Sequence, residues 1–246
     1  MSGVTLYAAA IDDPCDPDLY EAALARESRL RRDLAARFRL ADDARRLILG
    51  GALVAWAAAD RCGVLPGSPG GAYGFRYSYG PSGKPEVSGL PGFRFNVSHS
   101  GRWVIVGVAD GDIGIDVETV DADRPMPELV ELARHVFTPD EQRLLASGDP
   151  RVFYRLWTLK ESYVKYLGLG LSAPLDAFTF APGPAGWTLH VAESAAALGG
   201  SPVVPRFFTP ELDPDHLVAV SVAADDVGAI RRFDAADILY DVTSRL

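Results

Sequence analysis

Asp116 and Glu118 stand two residues apart in the run Ile113-Gly114-Ile115-Asp116-Val117-Glu118. Successive side chains of an extended chain alternate faces, so Ile113, Ile115 and Val117 enter a core while both carboxylates share the opposite face. Like charges so placed repel, and a hard divalent cation that takes one oxygen from each removes the repulsion. Magnesium suits the pair because it keeps waters and completes its octahedron with substrate phosphates. The same spacing also describes an exposed strand face whose acids meet solvent or an arginine-rich helix.

Two further clusters carry chemistry. Trp157, Glu161 and Lys165 fall on one helical stripe, while Phe153, Leu156, Tyr163, Val164 and Leu167 form the surface to bury. Taken alone, Glu161 four residues before Lys165 is also a routine helix pair, worth roughly 0.3 to 0.5 kcal/mol if exposed. In Asn96-Val97-Ser98-His99-Ser100-Gly101-Arg102-Trp103 the neighbours Ser98 and His99 face opposite ways, and no Gly-x-Ser-x-Gly elbow exists, which speaks against a serine hydrolase. Such a strand end can instead offer hydroxyl, imidazole and backbone donors to a phosphate. The turn 80–84 ends in Lys84 but lacks the Walker spacing of an ATPase loop. Eight arginines against four acids between Arg26 and Arg46 make a local excess of positive charge, equally read as a solvated helix face or an anion site.

Periodicity and punctuation predict the elements that must position these residues. Residues 4–10 read as an opening strand, and a helix follows from about Leu19. A second helix, capped by Asp42 or Asp43, runs to Gly63. Residues 66–72 form a loop, 73–79 a strand, and 80–85 a turn. Residues 93–97, 103–109 and 113–118 are strands, the last two linked by Asp110-Gly111-Asp112 as in a hairpin. A helix over 128–136 precedes Thr138-Pro139-Asp140-Glu141, a capping box with Pro at the first helical position, whose helix Gly148 stops. Asp149-Pro150 then opens the longest helix, 151–167, which Gly168 closes. Short strands over 178–180, 187–191, 203–208 and 217–222 complete an α+β pattern.

Composition bounds the rest. The 246 residues, 48% hydrophobic and 23% charged, suit one large domain or two intimate halves. Of 24 basic residues only Lys84, Lys160 and Lys165 are lysine; in so arginine-rich a chain they mark places where a compact ammonium is wanted. A net charge of −9 and a pI near 4.9 argue against nucleic acid or an anionic membrane as the main partner. No apolar run approaches the roughly 18 residues of a spanning helix, and the first residues lack a secretion signal, which predicts a cytoplasmic protein. Cys15 and Cys62 imply neither a disulfide framework nor a zinc site.

Taken in order, residues 37–50, Gly83-Lys84-Pro85, the run 95–103 (FNVSHSGRW), Gly114 to Glu118 (GIDVE) and the run 157–172 (WTLKESYVKYLGLGLS) resemble the Sfp-type 4′-phosphopantetheinyl transferases. GIDVE followed by W-x-x-K-E-S-x-x-K is the most specific part. The resemblance implies two similar α/β halves related by a pseudo-two-fold axis, each a small antiparallel sheet with a long helix. Residues 1–112 would form the coenzyme A phosphoadenosine-binding half, and 113–246 the half carrying the magnesium and catalytic residues.

It further implies that Asp116, Glu118 and Glu161 bind magnesium together with the pyrophosphate of coenzyme A. Lys165 would neutralise that pyrophosphate, while Arg46, Lys84, Ser98 and His99 would hold the phosphates of the 3′-phosphoadenosine end. The activity implied is transfer of 4′-phosphopantetheine to a serine of apo acyl- or peptidyl-carrier proteins in fatty-acid, polyketide or nonribosomal-peptide synthesis, including secondary metabolism, with release of 3′,5′-ADP. Whether Glu161 or a metal-bound water takes the serine proton stays open. The site would be complete within a monomer. Carrier docking, unaided by opposite net charge, would use a local apolar or arginine patch within residues 120–136.

Overall fold

β-branched and aliphatic runs bounded by Gly, Pro and Asp set the strands, and Pro or Asp starts with Gly stops set the helices. The computed structural model describes residues 3–63, 75, 77–80, 83–170, 173–184, 186–191 and 203–244. The first part runs β1 (Thr5–Ala10), α1 (Pro17–Arg26), α2 (Arg29–Ala35), α3 (Ala41–Cys62), β2 (Tyr77–Tyr79), β3 (Pro85–Val87), β4 (Arg94–Ser100) and β5 (Trp103–Ala109). Then follow β6 (Ile113–Thr119), α4 (Met126–Val136), α5 (Pro139–Leu144), α6 (Pro150–Leu167), β7 (Phe178–Gly183) and β8 (Gly186–Val191). The chain ends with β9 (Arg206–Phe208), β10 (Glu211–Asp213), β11 (His216–Val222), β12 (Ile230–Phe233) and α7 (Ala235–Ser244). The class is α+β. The predicted loop 66–72 and part of the strand 73–79 lie outside the described residues.

Two sheets, each with one long helix on its outer face, dominate. The first has the order β12-β1-β5-β4, and the second β10-β11-β6 with β9 on β11. Tyr7, Ala9, Val104 and Val106 turn one face of the first sheet to Leu49 and Leu53 of α3. Leu6, Ala8, Ile105, Ile115, Val117 and Val218 fill the space between the sheets. Leu217 and Ala219 turn the outer face of the second sheet to Leu156, Leu159 and Tyr163 of α6. The layers are therefore helix, sheet, sheet, helix, and each buried Val, Ile or Leu in them contributes roughly 1.5–3 kcal/mol.

Three expectations change. Asp110-Gly111-Asp112 is not a hairpin, because β1 and β4 already occupy both edges of β5; the link carries the chain into the second sheet, where β6 pairs with β11. The expected division at residue 112 does not follow the packing at the C terminus. There β12 pairs in parallel with β1, and Ile238, Leu239 and Val242 of α7 join the core of the first half. Neither Asp42 nor Asp43 caps α3, whose N-cap is Leu40; both lie in its first turn, favourable to the helix dipole. The capping box on α5 and the Gly168 stop of α6, at φ 68°, are as predicted.

The edge strands β4 and β6 meet side by side, joined by side chains rather than a backbone ladder. Asn96 Oδ1, Ser98 Oγ and Ser100 Oγ accept the N–H groups of Ile115, Val117 and Thr119 at 2.9, 3.3 and 3.0 Å. Every second residue of one strand satisfies every second N–H of the other, which settles an otherwise unpaired edge inside the fold. Among the described residues no helix is long and apolar enough to cross a membrane.

Candidate active site

This seam carries the predicted chemistry. Ile113, Ile115 and Val117 enter the core between the sheets, leaving the opposite face of β6 to Gly114, Asp116 and Glu118. Helix α6 lies on that face, brought close at Gly114, where a Cβ would stand 1.9 Å from the Ser162 carbonyl oxygen. Its polar stripe meets the acids. Lys165 Nζ is 2.7 Å from Asp116 Oδ1 and 3.0 Å from Ser98 Oγ, and Ser98 Oγ donates to Asp116 Oδ1 at 2.8 Å. Ser100 Oγ donates to Glu118 Oε2 at 3.0 Å.

The charges do not balance. Burial, then the charge of Asp116, pushes the Glu118 carboxyl above the usual range, against the pull of Ser100, Lys165 and Trp157. Glu161 is raised in the same way, by burial and then Asp116, with Lys165 opposing. Asp116 Oδ2 is buried with no hydrogen-bond partner. Three carboxylates share one ammonium, and an oxygen is left without a donor, so the residues fit a divalent cation. Among the described residues no three His, Cys, Asp or Glu side chains already enclose a metal position.

Beside the seam lies a cavity of about 380 Å³, whose lining includes Arg31, Arg46, Tyr77, Phe95, Val97 and His99. Arg46 donates from Nε to Gly101 O at 2.8 Å and from Nη1 to Asp43 Oδ1 at 2.7 Å, which fixes its guanidinium at the wall. Partial desolvation, then the charges of Lys165 and Arg46, holds the exposed His99 imidazole below its ordinary pKa, so it is neutral near pH 7.

Two residues expected to hold phosphates are bonded to protein groups. Lys84 Nζ donates to the carbonyls of Ile113 and Tyr166, both at 3.1 Å, near the C-terminal end of α6, while its neighbours Gly83 and Pro85 line the cavity. Ser98 is buried with its hydroxyl engaged by Asp116, Lys165 and Val117 N, so it orients the acid and the ammonium. The sequence offered Arg31 only as one of four arginines, with Arg26, Arg29 and Arg32, that stand where the family resemblance implies lysines for the 3′-phosphate, and it singled out none of them. It read Ser100 as part of a strand end that could donate to phosphate, and Trp157 as part of the polar stripe of α6; their contacts with Glu118 lie across the seam and carry no such mark.

The chain is similar to the Sfp 4′-phosphopantetheinyl transferase of Bacillus subtilis (strain 168), with 33% identity over 226 residues that cover 90% of this chain and 93% of the relative. It belongs to the 4′-phosphopantetheinyl transferase superfamily and is of the Sfp type. The superfamily model matches residues 112–191, the stretch that includes β6 and α6. A second 4′-phosphopantetheinyl transferase of Bacillus subtilis is 34% identical over 178 residues, 71% of this chain and 75% of the relative. A solved holo-(acyl-carrier-protein) synthase from Bacillus anthracis str. Ames, in complex with CoA (3′,5′-ADP), covers 45% of this chain and 92% of its own at 18% identity. Its TM-score of 0.34 is too low for a comparison of geometry. As a phosphopantetheinyl transferase, the protein is an enzyme.

Proposed function

We propose that this transferase moves 4′-phosphopantetheine from coenzyme A to a serine of apo acyl- or peptidyl-carrier domains, with magnesium, and releases 3′,5′-ADP. The observation that carries the reading is the 2.7 Å contact of Lys165 with Asp116, whose charges both act on Glu118 and Glu161, next to a cavity walled by Arg46 and His99. The cavity would take the phosphoadenosine end, with Arg46 fixed against its phosphates and His99 gaining a proton as their charge arrives. Lys165, bonded to Asp116 and Ser98, would neutralise the pyrophosphate. Asp116, Glu118 and Glu161 would hold magnesium, which supplies charge neutralisation for the phosphates when bound.

The serine oxygen forms a bond to the β-phosphorus, and the bond from that phosphorus to the oxygen of 3′,5′-ADP breaks, the electron pair leaving with the nucleotide. Glu161 takes the hydroxyl proton. Phosphoryl transfer of this kind depends chiefly on positioning and charge neutralisation.

The carrier would dock within residues 120–136, where α4 exposes Val130, at 37%, on one flank of its buried face and Leu132, at 40%, on the other. Each half, a sheet with its long helix, would be related to the other by the pseudo-two-fold axis, with 1–112 and 113–246 as the dividing ranges apart from β12 and α7. One copy would supply every group named, which supports a monomer as the working unit, and substrates of this kind would be met in the cytoplasm.

The test is to incubate the protein with coenzyme A, magnesium and a panel of apo carriers and to weigh the carriers by mass spectrometry. We expect a phosphopantetheine adduct on a serine; no adduct on any carrier would overturn the reading. Phosphate release from coenzyme A without a carrier would favour a hydrolase instead.

A further inference from the structure

Behind the cavity lining, against Arg31 and Gly51, stands a buried acid that the reaction does not use. Glu27, just beyond α1, is 2% exposed. Its Oε2 accepts Arg31 Nε at 2.8 Å, and its Oε1 is buried with no partner. Gly51 of α3 makes the room: a Cβ there would lie 2.1 Å from Glu27 Oε1 and 3.1 Å from Arg31 Nη2. Arg31 Nη2 also donates to Leu47 O at 2.6 Å. One guanidinium is thus held by a carboxylate and a helix carbonyl while it lines the cavity with Arg46.

The arrangement is costly for mere stability. Burial pushes the Glu27 carboxyl up, and only the neighbouring arginines and the Ser28 N–H pull it back. A buried ion pair with an unsatisfied oxygen is weak evidence for stability and better evidence for holding a particular geometry. A free arginine samples many rotamers, whereas one pinned at Nε and Nη2 keeps its remaining N–H donors in a fixed fork for an anion.

We infer that Glu27, given space by Gly51, is a positioning residue that fixes Arg31 as the cavity's second phosphate-reading guanidinium. This rests on the reading of the cavity as the site of the phosphoadenosine end of coenzyme A. Glu27 touches no ligand; it acts through Arg31.

The test is calorimetric binding of coenzyme A and of 3′-dephospho-coenzyme A to the full chain, with circular dichroism to confirm folding. Loss of a charge-assisted hydrogen bond to phosphate predicts that Glu27→Ala and Arg31→Ala each weaken coenzyme A binding about tenfold. The double variant should bind no worse than Arg31→Ala alone. Glu27→Gln, which keeps an oxygen acceptor for Nε, should retain most of the affinity, and Gly51→Ala should lose it as Glu27→Ala does. A loss seen with coenzyme A and absent with the dephospho ligand identifies the 3′-phosphate as the group read; a loss with both identifies the pyrophosphate. Wild-type affinity in Glu27→Ala, or a further loss when it is added to Arg31→Ala, overturns the inference alone. Absence of coenzyme A binding by the wild-type chain overturns the reading of the cavity, and the inference with it.

Discussion

Each of the three lysines places its ammonium among converging oxygens. Lys84 meets the carbonyls of Ile113 and Tyr166, and Lys160 meets those of Leu175 and Phe178 with Glu141 Oε2 at 2.8 Å. Lys165 meets Asp116 and Ser98. An ammonium directs three donors from one point, whereas a guanidinium spreads five over a plane, so arginine cannot reproduce any of these contacts. Lys165→Arg should therefore lower phosphopantetheine transfer at least about tenfold, since the planar fork must displace Ser98 to reach Asp116. Measured transfer to an apo carrier decides it; full activity would mean that the lysine is a compositional accident. The carboxylates and Lys165 were legible in the sequence because strand and helix periodicities fix which residues share a face. Periodicity does not say what lies across that face. The protein partners of Lys84 and Ser98 were hidden for this reason, and the Glu27–Arg31 pair, although spaced i,i+4, joins the end of one helix to the start of another, so its spacing did not show that it is buried.

At the scale of elements, the seam depends on how closely α6 lies on β6. Gly114 sets that distance, since its added Cβ would meet Ser162 O at 1.9 Å and Tyr166 N at 2.4 Å, both rigid helix backbone. Gly114→Ala should cost about 1–3 kcal/mol or more, as forced overpacking does. It should also reduce activity, because the 2.7 Å contact of Lys165 with Asp116 spans the same gap. Urea denaturation and a transfer assay check both; an unchanged midpoint with unchanged activity would show that α6 tolerates the shift. The far side of α6 is held independently. Lys160 and Glu141, both fully buried, link it to α5, where Glu141 also closes the capping box and accepts Phe180 N at 2.7 Å. Local signals such as Thr-Pro-Asp-Glu or Asp-Pro gave these elements correctly because caps are decided within four residues. The parallel pairing of β12 with β1 was not legible, since Ile-Arg-Arg-Phe is short, half charged and more than 200 residues from its partner. The false hairpin has the same origin: a two-strand signal says nothing of edges already taken.

Over the whole molecule, the two cores converge on a seam where negative charge is concentrated in a chain already at −9. The ligand-free protein must carry that repulsion, which function requires and folding does not. Glu118 and Glu161 are both raised, first by burial and then by Asp116, so the folded state holds protons that the unfolded chain releases. Stability from this source is present below their ordinary value of 4.5 and is lost as pH rises through their raised folded values. Glu27, raised by burial, acts in the same direction. Asp213 acts in the opposite one: burial would raise it, but bonds from Trp103 and His216 leave it lowered, so its stabilisation fades as pH falls below the ordinary aspartate range. The wild-type curve alone therefore mixes several groups, and the informative quantity is a difference. The double variant Glu118→Gln with Glu161→Gln, which keeps shape and removes both charges, should melt above the wild type at neutral pH. That advantage should shrink as pH is lowered towards 4.5, where the wild-type acids become neutral too. Magnesium with coenzyme A should stabilise the wild type and leave the double variant nearly unmoved, since the relief of repulsion has no target there. Thermal melts across this range test the account, and a double variant that melts below the wild type at neutral pH would refute it.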